Sequence, residues 1–197
     1  MKVTREQASQ NRDRVLDVAG RLFRERGFDG IGVADLMKSA GLTHGGFYGQ
    51  FASKEELMAE ACERSFNNAA DLWAGVAERY PDNPLGAVMK GYLSKQHRDN
   101  PGEGCVLASL GADAARQGPT LRHAVTEGTR KLLDLFTGLA PGRIKARKRE
   151  RAVVAYASMV GALILARAVD DAALSDEILK TVAASLPDAK ASASASA

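Results

Sequence analysis

The amino-acid sequence predicts an all-α protein, and three observations carry that expectation. Apolar residues recur at helical spacing along most of the chain. Alanine is abundant while β-branched runs are few. Gly and Pro breaks divide the periodic stretches at regular intervals. The 197 residues suffice for one medium domain or two small ones with a real core. About nine helices are expected in total, three in an N-terminal domain and the rest in a C-terminal helical domain.

The first stripe runs over about 10–26, where Val15, Ala19, Leu22 and Phe23 share a helical face and Gly27 follows as a C-terminal stop. A two-turn helix is expected over Val33–Ala40, with Val33, Leu36, Met37 and Ala40 inward and Gly41 as the break. Thr43 then stands ready as an N-cap for a third short helix from His44 to about Phe51. Ser53-Lys54-Glu55-Glu56 has the spacing of a capping box and opens a long helix reaching about Arg79. Later helices are expected over about 84–98, 105–117, 119–138, 145–170 and 174–186. The breaks between them are 80–84, 100–104, Gly118-Pro119 and Pro141-Gly142. The Ala/Ser run 189–197 reads as a disordered tail. The domain boundaries expected from this pass are 1–55, 56–188 and 189–197.

The informative segment is Gly27–Leu57, two short helices around a glycine turn. That arrangement is a helix-turn-helix, whose second helix enters a DNA major groove about 12 Å wide. Groove entry requires small residues for close approach, hydroxyl and basic groups for phosphates, and a few side chains for base edges. Residues 43–54 contain all three. Gly45 and Gly46 remove bulk, Thr43, Tyr48 and Lys54 suit phosphates, and His44 and Gln50 suit base edges, Gln most naturally an adenine. Each glycine inside a helix costs about 1 kcal/mol, and two in one turn ask for a functional reason.

At Gly27-Phe28-Asp29, Val33-Ala34-Asp35-Leu36, Ala40-Gly41-Leu42-Thr43, Gly45-Gly46-Phe47-Tyr48 and Phe51-Ala52-Ser53-Lys54-Glu55-Glu56-Leu57 the chain closely resembles the DNA-binding domain of TetR-family transcriptional regulators. The resemblance covers about residues 10–60. It implies a dimeric repressor with three DNA-binding helices and a C-terminal helical domain that binds a small-molecule effector and dimerises. Thr43, His44, Tyr48 and Lys54 fall on the family's usual contact positions, and Phe47 on an aromatic that packs inside the domain. Two positions depart from the family. Ile31 and Gly32 replace a usual Thr or Ser, leaving the Gly32 backbone amide as the phosphate donor there, and Gly46 stands where Thr is frequent.

Outside that segment the signals are weaker. Cys105 follows Glu103-Gly104 and opens a helix, where a thiolate is favoured, so it is the candidate redox or electrophile sensor. Cys62 reads as core. Trp73, Tyr92, Phe136 and Met159 are candidate lining of an effector pocket. His97 and His123 lack a second ligand at helical spacing, so no metal and no cofactor are expected. The basic run Arg143–Arg151 reads as a solvated face. Small residues over 145–170 and the amphipathic 174–186 suggest a homodimer interface, as the resemblance also implies. The net charge of +3 points to no partner by itself. No 18-residue uncharged apolar stretch and no signal segment stand out, so the expectation is a cytoplasmic protein off the membrane. An enzyme using Cys105 lacks a His-Asp partner pattern or phosphate loop, and a DNA-binding protein without an effector leaves the large C-terminal part unexplained. The overall expectation is therefore a repressor, not an enzyme, released from its operator by a small molecule or by modification of Cys105.

Overall fold

The computed structural model describes residues 4–185, and the 189–197 tail lies outside them. Among the described residues there are nine α-helices and no strand. They are α1 (Arg5–Arg26), α2 (Val33–Ser39), α3 (Lys54–Arg79), α4 (Pro84–Tyr92), α5 (Lys95–Asp99), α6 (Val106–Ala114), α7 (Pro119–Leu139), α8 (Lys145–Ala168) and α9 (Ala172–Ser185). Short 3₁₀ turns occupy His44–Gly46 and Pro101–Glu103.

The chain forms two compact units. One takes the chain through Asn67 together with Pro101–Gly128, and the other takes Asn68–Asn100 and the chain from Thr129 onward. The unit that holds the N-terminal helices thus extends past residue 55 and includes α6. Its core is the α1 stripe, Val15, Leu16, Ala19, Leu22 and Phe23, packed with Phe28, Ile31, Leu36, Met37, Phe47, Phe51 and Leu57. The second unit buries Trp73, Val88, Tyr92, Phe136, Tyr156, Met159 and Leu163.

Local rules account for most boundaries. Thr4 and Gln7 form a reciprocal capping box at the start of α1, with bonds of 3.0 and 3.2 Å. This moves the helix start several residues ahead of the expected Gln10. Gly27 ends α1 at φ 78°, with its N–H on the Phe23 carbonyl. After α2 the amides of Gly41 and Leu42 bond back to the Lys38 and Met37 carbonyls, a Schellman motif that needs Gly41 at φ 74°.

Two expectations are corrected. The third short helix is only a 3₁₀ turn over His44–Gly46, continued by bonds from the Gln50 and Phe51 amides to the Phe47 carbonyl. Gly45, Gly46 and Gly49 lower helix propensity throughout that stretch. The expected helix 84–98 is two helices, because Ser94 caps α5 through a bond from the His97 amide and so breaks the run at Leu93. Separately, α8 is long and apolar enough by length and composition to cross a membrane, with mean hydropathy 1.4 over 18 residues. It buries Ala152, Ala155, Tyr156, Met159, Ala162, Leu163 and Ala166 within its unit.

Candidate nucleic-acid interface

The reading turn is fixed from below by aromatic packing. Phe47 and Phe51 stack with centroids 5.6 Å apart, both buried, and the Arg12 guanidinium lies 4.7 Å from the centre of the Phe51 ring. Arg12 is held in turn by Glu60 at 2.6 Å. The core aromatic at Phe47 therefore sets the height of its neighbours, and Tyr48 is pushed to the surface with 70% of its area exposed. The phenol hydroxyl is therefore open to solvent. His44 meets Tyr48 edge-on at 5.9 Å and is itself exposed.

Around these two rings the surface is bare. A Cβ at Gly32 or Gly45 would meet nothing within 4 Å, and Thr43 is exposed with no cap bond from its hydroxyl. Gly32 occupies the N-cap of α2 in extended geometry, without a side-chain cap, and presents first-turn amides outward. Gly46 is half-buried over the Met37 methyl. The turn thus exposes Thr43, His44, Gly45 and Tyr48, and Gly32 is exposed at the start of α2, a set of hydroxyl, imidazole and amide donors beside open space.

Two candidate contact residues are placed differently. Gln50 donates from Nε2 to the Gly46 carbonyl at 3.1 Å, and its Oε1 is buried with no hydrogen-bond partner. Its amide braces the turn from inside rather than facing a groove. Lys54 is half-buried and donates from Nζ to the Phe28 carbonyl at 2.6 Å. An ammonium has three donors, so two remain for a phosphate at the start of α3. The capping box there closes differently from expectation. Ser53 accepts from the Glu56 amide at 3.0 Å, while the Glu56 carboxylate takes the Ala52 amide.

Sequence reasoning missed Arg24. Its guanidinium donates from Nε and Nη2 to the buried Gly102 carbonyl and from Nη1 to the Ser65 hydroxyl, fastening the Pro101–Gly104 turn to the end of α1. Burial pushes the Arg24 pKa below its ordinary value, against the pull of Glu103 and of Cys62 and Cys105. The one sequence signal was an arginine next to the buried stripe position Phe23. Cys105 sits directly after that turn as the N-cap of α6, 7% exposed. Burial pushes the Cys62 thiol up to about 12, which fits a core residue.

The candidate effector-pocket residues are packed core. Trp73 and Tyr92 lie 5.9 Å apart, His97 closes on Tyr92 at 4.6 Å, Phe136 packs on Tyr156 at 5.2 Å, and Met159 is fully buried. No group of three His, Cys, Asp or Glu able to hold a metal occurs among the described residues.

A core built on α1 and α2, a glycine turn and a set of exposed donors give the N-terminal segment the arrangement of a helix-turn-helix. Residues 15–61 match the family described as bacterial regulatory proteins, tetR family. The transcriptional regulator AcrR of Shigella flexneri is 33% identical over 44% of this chain, a match that spans only 40% of the relative. The transcriptional repressor NemR of Escherichia coli is 27% identical over 79% of this chain and 83% of its own length. The crystal structure of E. coli NemR in its reduced form shares the fold, with a TM-score of 0.75, 23% identity, and coverage of 90% of this chain and 95% of that one. A TetR-family regulator from Agrobacterium tumefaciens does so at a TM-score of 0.73 and 22% identity, covering 91% of this chain and 98% of its own. The match to the tetR family covers residues 15–61, and the chain as a whole shares the fold of solved TetR-family regulators.

Proposed function

We propose that the protein is a repressor that grips its operator as a homodimer and releases it when the helical part takes up a small molecule or when Cys105 is modified. The observation that carries the DNA-binding half is the exposed set of Gly32, Thr43, His44, Gly45 and Tyr48, with Lys54 at the start of α3. The repressor NemR, similar to this chain along most of its length, supports the direction of regulation. In this reading Tyr48, Lys54 and the Gly32 amide take phosphates, while His44 meets a base edge. The Tyr48→Phe, Lys54→Ala double variant should lose about 2 kcal/mol, roughly thirtyfold in affinity, on every duplex. Unchanged affinity in a gel-shift titration would overturn the contact set. The His44→Ala variant should instead alter base preference in a selection from random duplexes.

The homodimer reading draws on an uncovered apolar stripe. Val153, Ile164 and Leu165 of α8 and Leu174 of α9 are all more than 40% exposed, whereas large apolar groups that cluster on a surface ordinarily find a partner. An Ile164→Glu, Leu165→Glu variant should sediment as a monomer, and a dimeric variant would rule this face out.

Cys105 supports the sensing half by position. An electrophile adding to its sulfur, with the thiol proton passing to water, needs space next to a turn that Arg24 holds closed. Adduct formation and a seated turn therefore compete. Treatment with N-ethylmaleimide should release wild-type protein from DNA and leave Cys105→Ser bound. Equal release of both would end the sensing role.

A further inference from the structure

The second unit contains an apolar recess of about 180 Å³ that none of the expected pocket residues lines. Leu85 and Met89 of α4 form one wall, Val154 and Ala155 of α8 the other, and Pro141 of the preceding turn closes one end. We propose that this recess binds a small apolar carboxylate, a ring or short chain bearing one acidic group. The proposal rests on the effector-binding reading of the helical unit and gives that effector a site and a chemical class.

Size sets the apolar part. A dry cavity of about 150 Å³ accommodates benzene, so a recess of this volume holds a single ring or a chain of about six carbons. Charge sets the polar part. Arg151 lines the recess and is anchored there by donating from Nη1 to the Pro141 carbonyl at 2.8 Å. Guanidinium has five N–H donors in a fixed fork, so four remain at the border of the recess, where the acidic end of a ligand would sit. The segment Arg143–Arg151 brings six cations against one acid, Glu150. Lys148 is engaged with the Gly138 carbonyl and Arg149 with Asp134. Arg143, Lys145 and Arg147 are exposed and enter no ion pair among the described residues. Glu150 also lines the recess and opposes an anion. It stands one helical turn from Arg147 and next to Arg151, so cations flank it on its own helix.

Isothermal titration of the full-length protein with benzoate, benzyl alcohol and benzylamine tests this. Benzoate should bind at least tenfold more tightly than either of the others. Arg151→Gln should abolish that preference, Glu150→Gln should tighten benzoate several-fold, and Val154→Trp, at a position 60% exposed, should fill the recess and abolish binding. Benzylamine binding as tightly as benzoate, or benzoate binding unchanged in Val154→Trp, would overturn the site. Benzoate binding that leaves an operator complex intact would uphold the site and count against its role as the effector pocket.

Discussion

Replacing Gly32 by serine should make the protein both more stable and a tighter DNA binder. Gly32 caps α2 at φ −83° and ψ 159°, an extended conformation that any residue adopts, and a Cβ there would meet nothing. No strain or clash therefore opposes the change. A serine hydroxyl would take a first-turn amide of α2, and glycine falls short of serine at an N-cap by a few tenths of a kcal/mol. Removing a glycine from the unfolded chain at a compatible position contributes about 0.4–1 kcal/mol more. Together these give about 1 kcal/mol, or a rise in melting temperature of about 2–4 °C for a chain of this length. In the proposed contact set the α2 amides face a phosphate, and there the same hydroxyl would contribute about 1 kcal/mol, roughly fivefold, to specific and random duplexes alike. Thermal unfolding followed by circular dichroism measures the first effect, and fluorescence anisotropy on the two duplexes the second. A lower melting temperature would refute the cap geometry. A stabilised protein with unchanged affinity would show that α2 does not face a phosphate.

Arg24→Met should destabilise by about 2 kcal/mol in urea denaturation, since it leaves the buried Gly102 carbonyl without its donors while relieving a partly buried charge. Wild-type stability would mean that the turn seats without its clamp. Burial holds the His97 imidazole below its ordinary pKa, against the hydrogen bond with the Tyr92 carbonyl. The unfolded chain therefore takes up a proton near pH 6.5 that the folded one refuses. Stability is complete above that pH and falls as the pH drops below it. His97→Gln should flatten this acid-side decline relative to wild type, and parallel curves for the two proteins would contradict it.

The α1 stripe, the Gly27 and Gly41 stops and the α3 start were legible because each rests on contacts between residues close in sequence. The Thr4–Gln7 cap was equally local but lay in a polar stretch where no apolar stripe drew notice to it. The split at Leu93–Ser94 was hidden by apolar spacing that continues on both sides of the serine. The exposed donors were legible as a set of residues, while the inward turn of Gln50 and the Lys54 bond to Phe28 depend on where separate segments meet. Arg24 was invisible for the same reason, since its acceptor lies 78 positions away. The recess between α4 and α8 is a product of packing, and no single stretch of sequence signals it.

The three-glycine reading turn has a consequence for how the protein searches DNA. His44–Gly46 is held from within by the isolated backbone bonds of a 3₁₀ turn and by one side-chain bond, from Gln50 Nε2 to the Gly46 carbonyl. Its local opening free energy should therefore lie well below that of α1, and its amides should exchange with solvent long before those of the helix beneath. A reader this soft can adjust to many duplexes during encounter and become ordered only on the correct one. Part of its discrimination would then appear as lost motion and a more negative heat capacity of binding, in addition to contacts visible in the free protein.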